Sequence, residues 1–153
     1  MSRREARSHA FCLIYQFPFM VPLDAKAVAE AMVYYYDGLE KRPSRLDIAY
    51  VNRAVSGAQE RLVQLDGVIS HFLKDWDIQR LNRVDLALLR LAIYEILCEP
   101  DVPPGVATNE AVMLAKEFGT DESPAFINGV LGNIVRARGL DAKDSKQEEE
   151  QLV

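Results

Sequence analysis

Between Val84 and Leu97 the sequence is apolar nearly all the way round a helix, and a helix with no wet face belongs in the centre of a bundle. The rest of the chain has to wrap that segment, and its patterns are suited to doing so. Ala6, Ala10, Leu13 and Phe17 recur at steps of four and three, the spacing of one helical face, before Pro18 and Pro22 close the pattern. Ser2 followed by Glu5 has capping-box spacing at its start. Asp24 predicts the cap of a second helix, with Val28, Ala31, Met32, Tyr35 and Leu39 facing in and Gly38 near the end.

The clearest periodicity begins at Asp47. Ile48, Val51, Val55, Ala58, Leu62, Leu65, Ile69 and Phe72 predict one long helix, with weak points at Gly57 or Gly67. A short turn containing Trp76 and Leu81 leads into the central segment, and Asp101 to Gly105 ends it. Ala107, Ala111, Leu114, Ala115 and Phe118 mark a further helix, with Gly119 expected as its C′ residue. Ser123 and Pro124 predict the N-cap and first position of the last helix. There Ile127, Val130, Leu131 and Ile134 face in, and Gly129 and Gly132 are expected to permit close packing. Asn109 and Asn128 fall inside helical patterns, where amides commonly satisfy backbone groups between packed helices. Strand signals are almost absent. The fold class is all-α, with six or seven helices.

At 49% hydrophobic residues the chain has enough apolar material for a core without disulfides. Its two cysteines, Cys12 and Cys98, sit singly among apolar neighbours, which fits a reducing cytoplasm. No secretory signal pattern opens the chain, and the longest apolar runs are too short to span a bilayer. A cytoplasmic protein with no membrane contact is expected. The net charge of −5 is unevenly spread. Arg3, Arg4 and Arg7 crowd the start, whereas Asp141, Asp144, Glu148, Glu149 and Glu150 dominate the end. Residues 140–153 therefore read as an acidic, disordered tail.

Catalytic chemistry finds no support. His9 and Cys12 are three apart on a helix, but no further ligand stands at a partnering spacing, and neither metal nor cofactor is expected. The serines lack an elbow motif, no phosphate loop follows a strand, and Asp85 and Glu110 each have a simpler role near a helix start. Nucleic acid is better supplied for. Arg3 and Arg7 share one helical stripe, and Arg4, Ser8, Phe11 and Tyr15 a neighbouring one. Arginines contact phosphates and an aromatic stacks on an unpaired base, although a merely solvated helix end has the same appearance. Phe118 and Phe126 flank a polar loop near Lys116, where they either hold bases or pack across a corner. From the residues alone, the chain is a helical binding module with one basic end.

The residues from Val84 to Leu131 also form a pattern of their own. Val84, Asp85, Leu89, Arg90, Tyr94 and Glu95 are followed by Asp101, Val102 and Pro103, then Asn109, Glu110, Ala111, Leu114, Ala115, Lys116, Phe118 and Gly119. Phe126, Asn128, Gly129, Val130 and Leu131 complete it. In this, and in its arginine-rich start followed by Leu13 to Tyr15, the chain resembles the bacterial NusB family over nearly its whole length, the acidic tail excepted.

The resemblance implies two small helical bundles packed together, about 1–75 and about 76–139, forming a single domain over 1–139. It implies a noncatalytic antitermination factor that binds boxA RNA, a single-stranded element of ribosomal RNA leader transcripts. The partners implied are the ribosomal protein NusE and the RNA polymerase elongation complex. By the same resemblance Arg3, Arg4, Arg7, Tyr15, Phe118, Glu122 and Phe126 face RNA, beside Lys116, and Asp85 faces NusE. Leu86, Thr108, Cys12 and the pair Gly132 and Asn133 depart from the family pattern. The cations lost at two of these places predict weaker and less salt-dependent RNA binding. The rival expectation is a protein–protein module, or a homodimer with little RNA binding. RNA methyltransferases with a similar N-terminal domain need a further methyl-donor domain.

Overall fold

The structure, a computed structural model, describes residues 3–74 and 76–139. Ser2 and the acidic segment 140–153 lie outside the described residues. Among the described residues there are seven α-helices and no strand: α1 (Arg3–Tyr15), α2 (Ala25–Asp37), α3 (Arg45–Glu60), α4 (Leu62–Phe72), α5 (Arg83–Cys98), α6 (Pro104–Phe118) and α7 (Ser123–Ala137). Short 3-10 turns at Phe17–Phe19 and Ile78–Arg80 complete the chain path. No helix among these residues is long and apolar enough to cross a membrane.

Side-chain caps place three of the helix starts. Asp24 accepts from the Ala27 N–H at 2.8 Å, Ser44 from Asp47 at 3.2 Å, and Asn82 from Asp85 at 2.7 Å. Each satisfies a donor that the first helical turn leaves free. The α5 helix is the axle of the fold and packs on α1, α3, α4, α6 and α7. Leu88, Leu89 and Ile93 on it are fully buried, as its all-round apolar pattern requires. One continuous apolar cluster runs from Ala6 in α1 to Ile134 in α7.

The long helix expected from Asp47 to Phe72 is two helices that bend at Arg61, not at either glycine. Arg61 takes φ −106° and ψ 17°, yet its N–H still donates to the Gly57 carbonyl and its own carbonyl accepts from Leu65. The hydrogen-bond ladder turns without being cut. This lets α3 lie on α1 while α4 turns to α5 and α7. Gly57 serves packing instead: a Cβ there lies 2.5 Å from Cε2 of Tyr94, so α3 and α5 approach closely only with glycine.

Other expectations at the C-terminal end are corrected. Gly119 has extended backbone, φ −95° and ψ −168°, and is needed because a Cβ lies 2.6 Å from the Ser123 side chain. Ser123 is itself buried and accepts from the Thr120 N–H at 3.0 Å, closing the α6–α7 corner, while Glu122 occupies the N-cap position without a side-chain cap. Among the described residues, a Cβ at Gly129 meets nothing within 4 Å and one at Gly132 only the Arg136 side chain, so neither brings helices together. Asn109 and Asn128 are not sealed between helices; with Gly132 they line an open groove on the α6–α7 face.

Candidate nucleic-acid interface

Two contacts define the surface formed by α1 and α6. Nε of Arg4 lies 2.9 Å from Glu110, and the ring centroids of Phe11 and Phe118 are 5.0 Å apart. Position 4 faces 110 and position 11 faces 118, so the two helices run in the same direction. Residues at the start of α1 and at the end of α6 therefore occupy one face, separated by about 1.5 Å of rise per residue.

The three arginines of α1 have different environments. Arg3 is exposed, and its guanidinium sits 4.5 Å from the centroid of the Tyr50 ring. Arg4 is half exposed and makes a two-pronged contact with Glu110, at 2.9 and 3.0 Å. That contact holds the Glu110 carboxyl below its ordinary value, despite opposition from burial. Glu110 lies mid-helix in α6, not at a helix start. Arg7, expected on the surface, is only 6% exposed. Its Nε donates to both oxygens of Glu95, at 2.8 and 3.1 Å, and the Tyr50 hydroxyl donates to the same carboxylate. Burial works against the Arg7 cation, but the bond to Glu95 and its charge outweigh that. Burial, followed by the Glu95 charge, pushes the Tyr50 phenol well above its ordinary range. Arg7 therefore ties α1 to α5.

An aromatic row begins where the charges end. Phe118, 39% exposed, leans on the buried Phe11, and the half-buried Tyr15 follows at 6.2 Å from Phe11. Phe19 continues the row at 6.4 Å, with the Arg83 guanidinium 4.6 Å above its ring. Arg4 and Lys116, with Glu117, Met113 and Leu114, line a groove of about 330 Å³ between α1 and α6. Among the described residues, neither Arg3 nor Lys116 has a carboxylate partner.

Glu122 and Phe126 border a second depression. This pocket of about 290 Å³ is also lined by Trp76, Asn82 and Asp85. Asp85 is buried at the first turn of α5, where Oδ2 accepts from the Asn82 amide at 3.0 Å. Among the described residues its Oδ1 has no hydrogen-bond partner, and it is closed to solvent. The structure thus brings Arg4 and Lys116 to one groove of α1 and α6, sets Tyr15 and Phe118 on either side of Phe11, turns Arg3 to Tyr50 on α3, and groups Asp85, Glu122 and Phe126 at the α5–α7 end. Arg7 is set apart from both.

Sequence reasoning missed Phe11 and Phe19 as members of the aromatic row, and Arg83 beside it. Phe11 stood in a helical stripe with Tyr15, a signal that was present; Phe19 and Arg83 have no common period. His9 and Arg90 are engaged structurally. His9 Nδ1 lies 2.6 Å from the Tyr35 hydroxyl, and Arg90 makes a bidentate contact with Asp66 at 2.8 Å. Burial pushes the Cys12 thiol up, away from reactivity. No group of three or more potential metal ligands occurs among the described residues.

Comparison with known proteins gives a consistent result. The NusB family model matches residues 4–136. The transcription antitermination protein NusB of Clostridium novyi (strain NT) is 34% identical over 137 residues, covering 90% of this chain and 100% of its own. That of Acetivibrio thermocellus is 36% identical over 151 residues, covering 99% and 100%. The solved structure of T. maritima NusB superposes with a TM-score of 0.79 at 32% identity, covering 89% of this chain and 92% of that one. A structure of the antitermination factors NusB and NusE with dsRNA has a TM-score of 0.72, covering 88% and 96%; at 23% identity it bears on the fold alone.

Proposed function

The chain belongs to the NusB family, and we propose that it is a transcription antitermination factor that binds boxA RNA jointly with the ribosomal protein NusE. Members of that family are regulatory proteins, not enzymes. The observation that carries the RNA half is the pair of partly exposed rings Phe118 and Tyr15, held on either side of buried Phe11, with Arg4 and Lys116 on the same two helices and Arg3 at the start of α1. Single-stranded RNA is held by stacking of bases on aromatic faces and by cations on its phosphates. Phe118 and Tyr15 supply the stacking surfaces, each worth about 1–3 kcal/mol. Arg3 and Lys116 meet phosphates directly, and Arg4 does so by leaving Glu110. Glu122 cannot favour a phosphate; its exposed carboxylate accepts from the exocyclic amine of a base. Phe126 borders the same site.

NusE is assigned to the Trp76, Asn82 and Asp85 side of the depression whose opposite edge is formed by Glu122 and Phe126. RNA and partner then occupy adjoining faces, which lets one protein couple them. The pair delivers its RNA to elongating RNA polymerase, a cytoplasmic task. Fluorescence anisotropy with a labelled boxA-like RNA and a scrambled RNA of equal length tests the RNA half. Preference for the boxA-like sequence supports it. Equal binding to both, or none at low salt, contradicts it.

A further inference from the structure

Phe19 and Arg83 form an exposed aromatic–cation pair next to Tyr15. Phe17 and Phe19 share one 3-10 turn, and burial of Phe17 at 2% exposure anchors it. The Phe19 N–H donates to Gln16 and the Met20 N–H to Phe17, at 3.0 and 3.1 Å, with Pro18 between. That fixed backbone projects Phe19 outward, where it stays 61% exposed. A single exposed apolar side chain needs no explanation, but the ring of this one lies 6.4 Å from that of the partly exposed Tyr15, which reaches Phe118 through the buried Phe11.

Arg83 adds an independent feature. It is the first residue of α5, the helix end whose dipole disfavours a cation. Among the described residues it has no carboxylate partner, and its guanidinium lies over the Phe19 ring. Neighbouring Asn82 and Asp85 line the pocket assigned above to the partner.

We propose that the RNA path continues past Tyr15 onto this pair: one further unpaired base stacks on Phe19, and Arg83 takes the adjoining phosphate. The occupant is single-stranded RNA because an aromatic face next to an unpaired, exposed guanidinium matches a base and its phosphate together. The assignment rests on the RNA-binding function proposed above, and it makes Arg83 the link between the RNA path and the partner pocket.

The test compares a minimal boxA-like RNA with the same RNA lengthened by one to three nucleotides at either end. Binding is measured for the wild type, Phe19→Ala, Arg83→Gln and Phe118→Ala, with circular dichroism to confirm folding. Lengthening at one end is expected to tighten wild-type binding about tenfold, the worth of one stacked base. That gain disappears in Phe19→Ala and shrinks in Arg83→Gln, which also lowers the salt slope by about 0.7 for the longer RNA. Phe118→Ala weakens short and long RNA alike. A wild type indifferent to length, or a gain that survives both variants, overturns the extended path while leaving the RNA function standing. No binding to any RNA overturns both. Sedimentation showing a wild-type dimer that Phe19→Ala dissolves, with no length effect on RNA, assigns the patch to a second copy and also overturns it.

Discussion

The Arg7 guanidinium and the Glu95 carboxylate form a buried pair, 2.8 Å apart, between the first helix and the central one. Glu95 is 1% exposed, and Tyr50 completes its hydrogen bonding. Arg7 is thus an internal strut that ties α1 to α5.

Arg7→Met is therefore expected to destabilise the fold by roughly 3–5 kcal/mol, because it leaves Glu95 buried without its counter-charge. Adding Glu95→Gln recovers part of that loss by removing the orphaned charge. Urea denaturation of the single and double variants checks both statements.

Two glycines of similar sequence context separate by sign. Gly57→Ala drives a methyl against Tyr94 and is expected to cost about 1–3 kcal/mol. Gly67→Ala, inside α4 with nothing within 4 Å, gains about 0.5–1 kcal/mol from helix propensity. Thermal melts of the two variants must move in opposite directions.

The contrast shows what the sequence made legible. The cap at Asp24 and the central position of α5 follow from local residue types and apolar spacing, and both appear as expected. The bend at Arg61 left no trace, because the three-and-four spacing runs straight through it and no proline or glycine marks it. Arg4 and Arg7 were readable as charges, but their partners lie 106 and 88 residues away in the chain, beyond any periodicity. Phe11 and Tyr15 shared a visible stripe; that Phe118 stacks on Phe11 depends on α6 lying beside α1, which only tertiary packing decides.

The Arg4–Glu110 contact has a pH signature. Hydrogen bonding to Arg4 lowers the Glu110 carboxyl from its ordinary value of 4.5, so the unfolded chain takes up the proton first as pH falls. The contribution is present above about pH 4.5 and is lost as pH falls through the lowered value. Glu110→Gln should therefore flatten the acid limb of stability against pH. It also removes the competitor that Arg4 must leave to reach phosphate, so RNA binding at neutral pH becomes tighter with an unchanged salt slope, whereas Arg4→Gln lowers the slope by about 0.7. An Arg4→Gln slope equal to that of the wild type means that Arg4 does not reach phosphate.

Phe118→Ala is expected to weaken boxA-like RNA by about 5- to 100-fold, one lost stack, with helicity retained. Anisotropy and circular dichroism on the same preparation separate binding from folding.

The most direct test of the central claim is a titration of labelled boxA-like RNA with this protein alone, with NusE alone and with both, repeated for Asp85→Asn. The account predicts that the mixture binds more tightly than either component, and that Asp85→Asn erases the advantage of adding NusE while leaving the protein folded. If NusE adds nothing to RNA affinity, or its advantage is indifferent to position 85, joint recognition through the Asp85 pocket is contradicted.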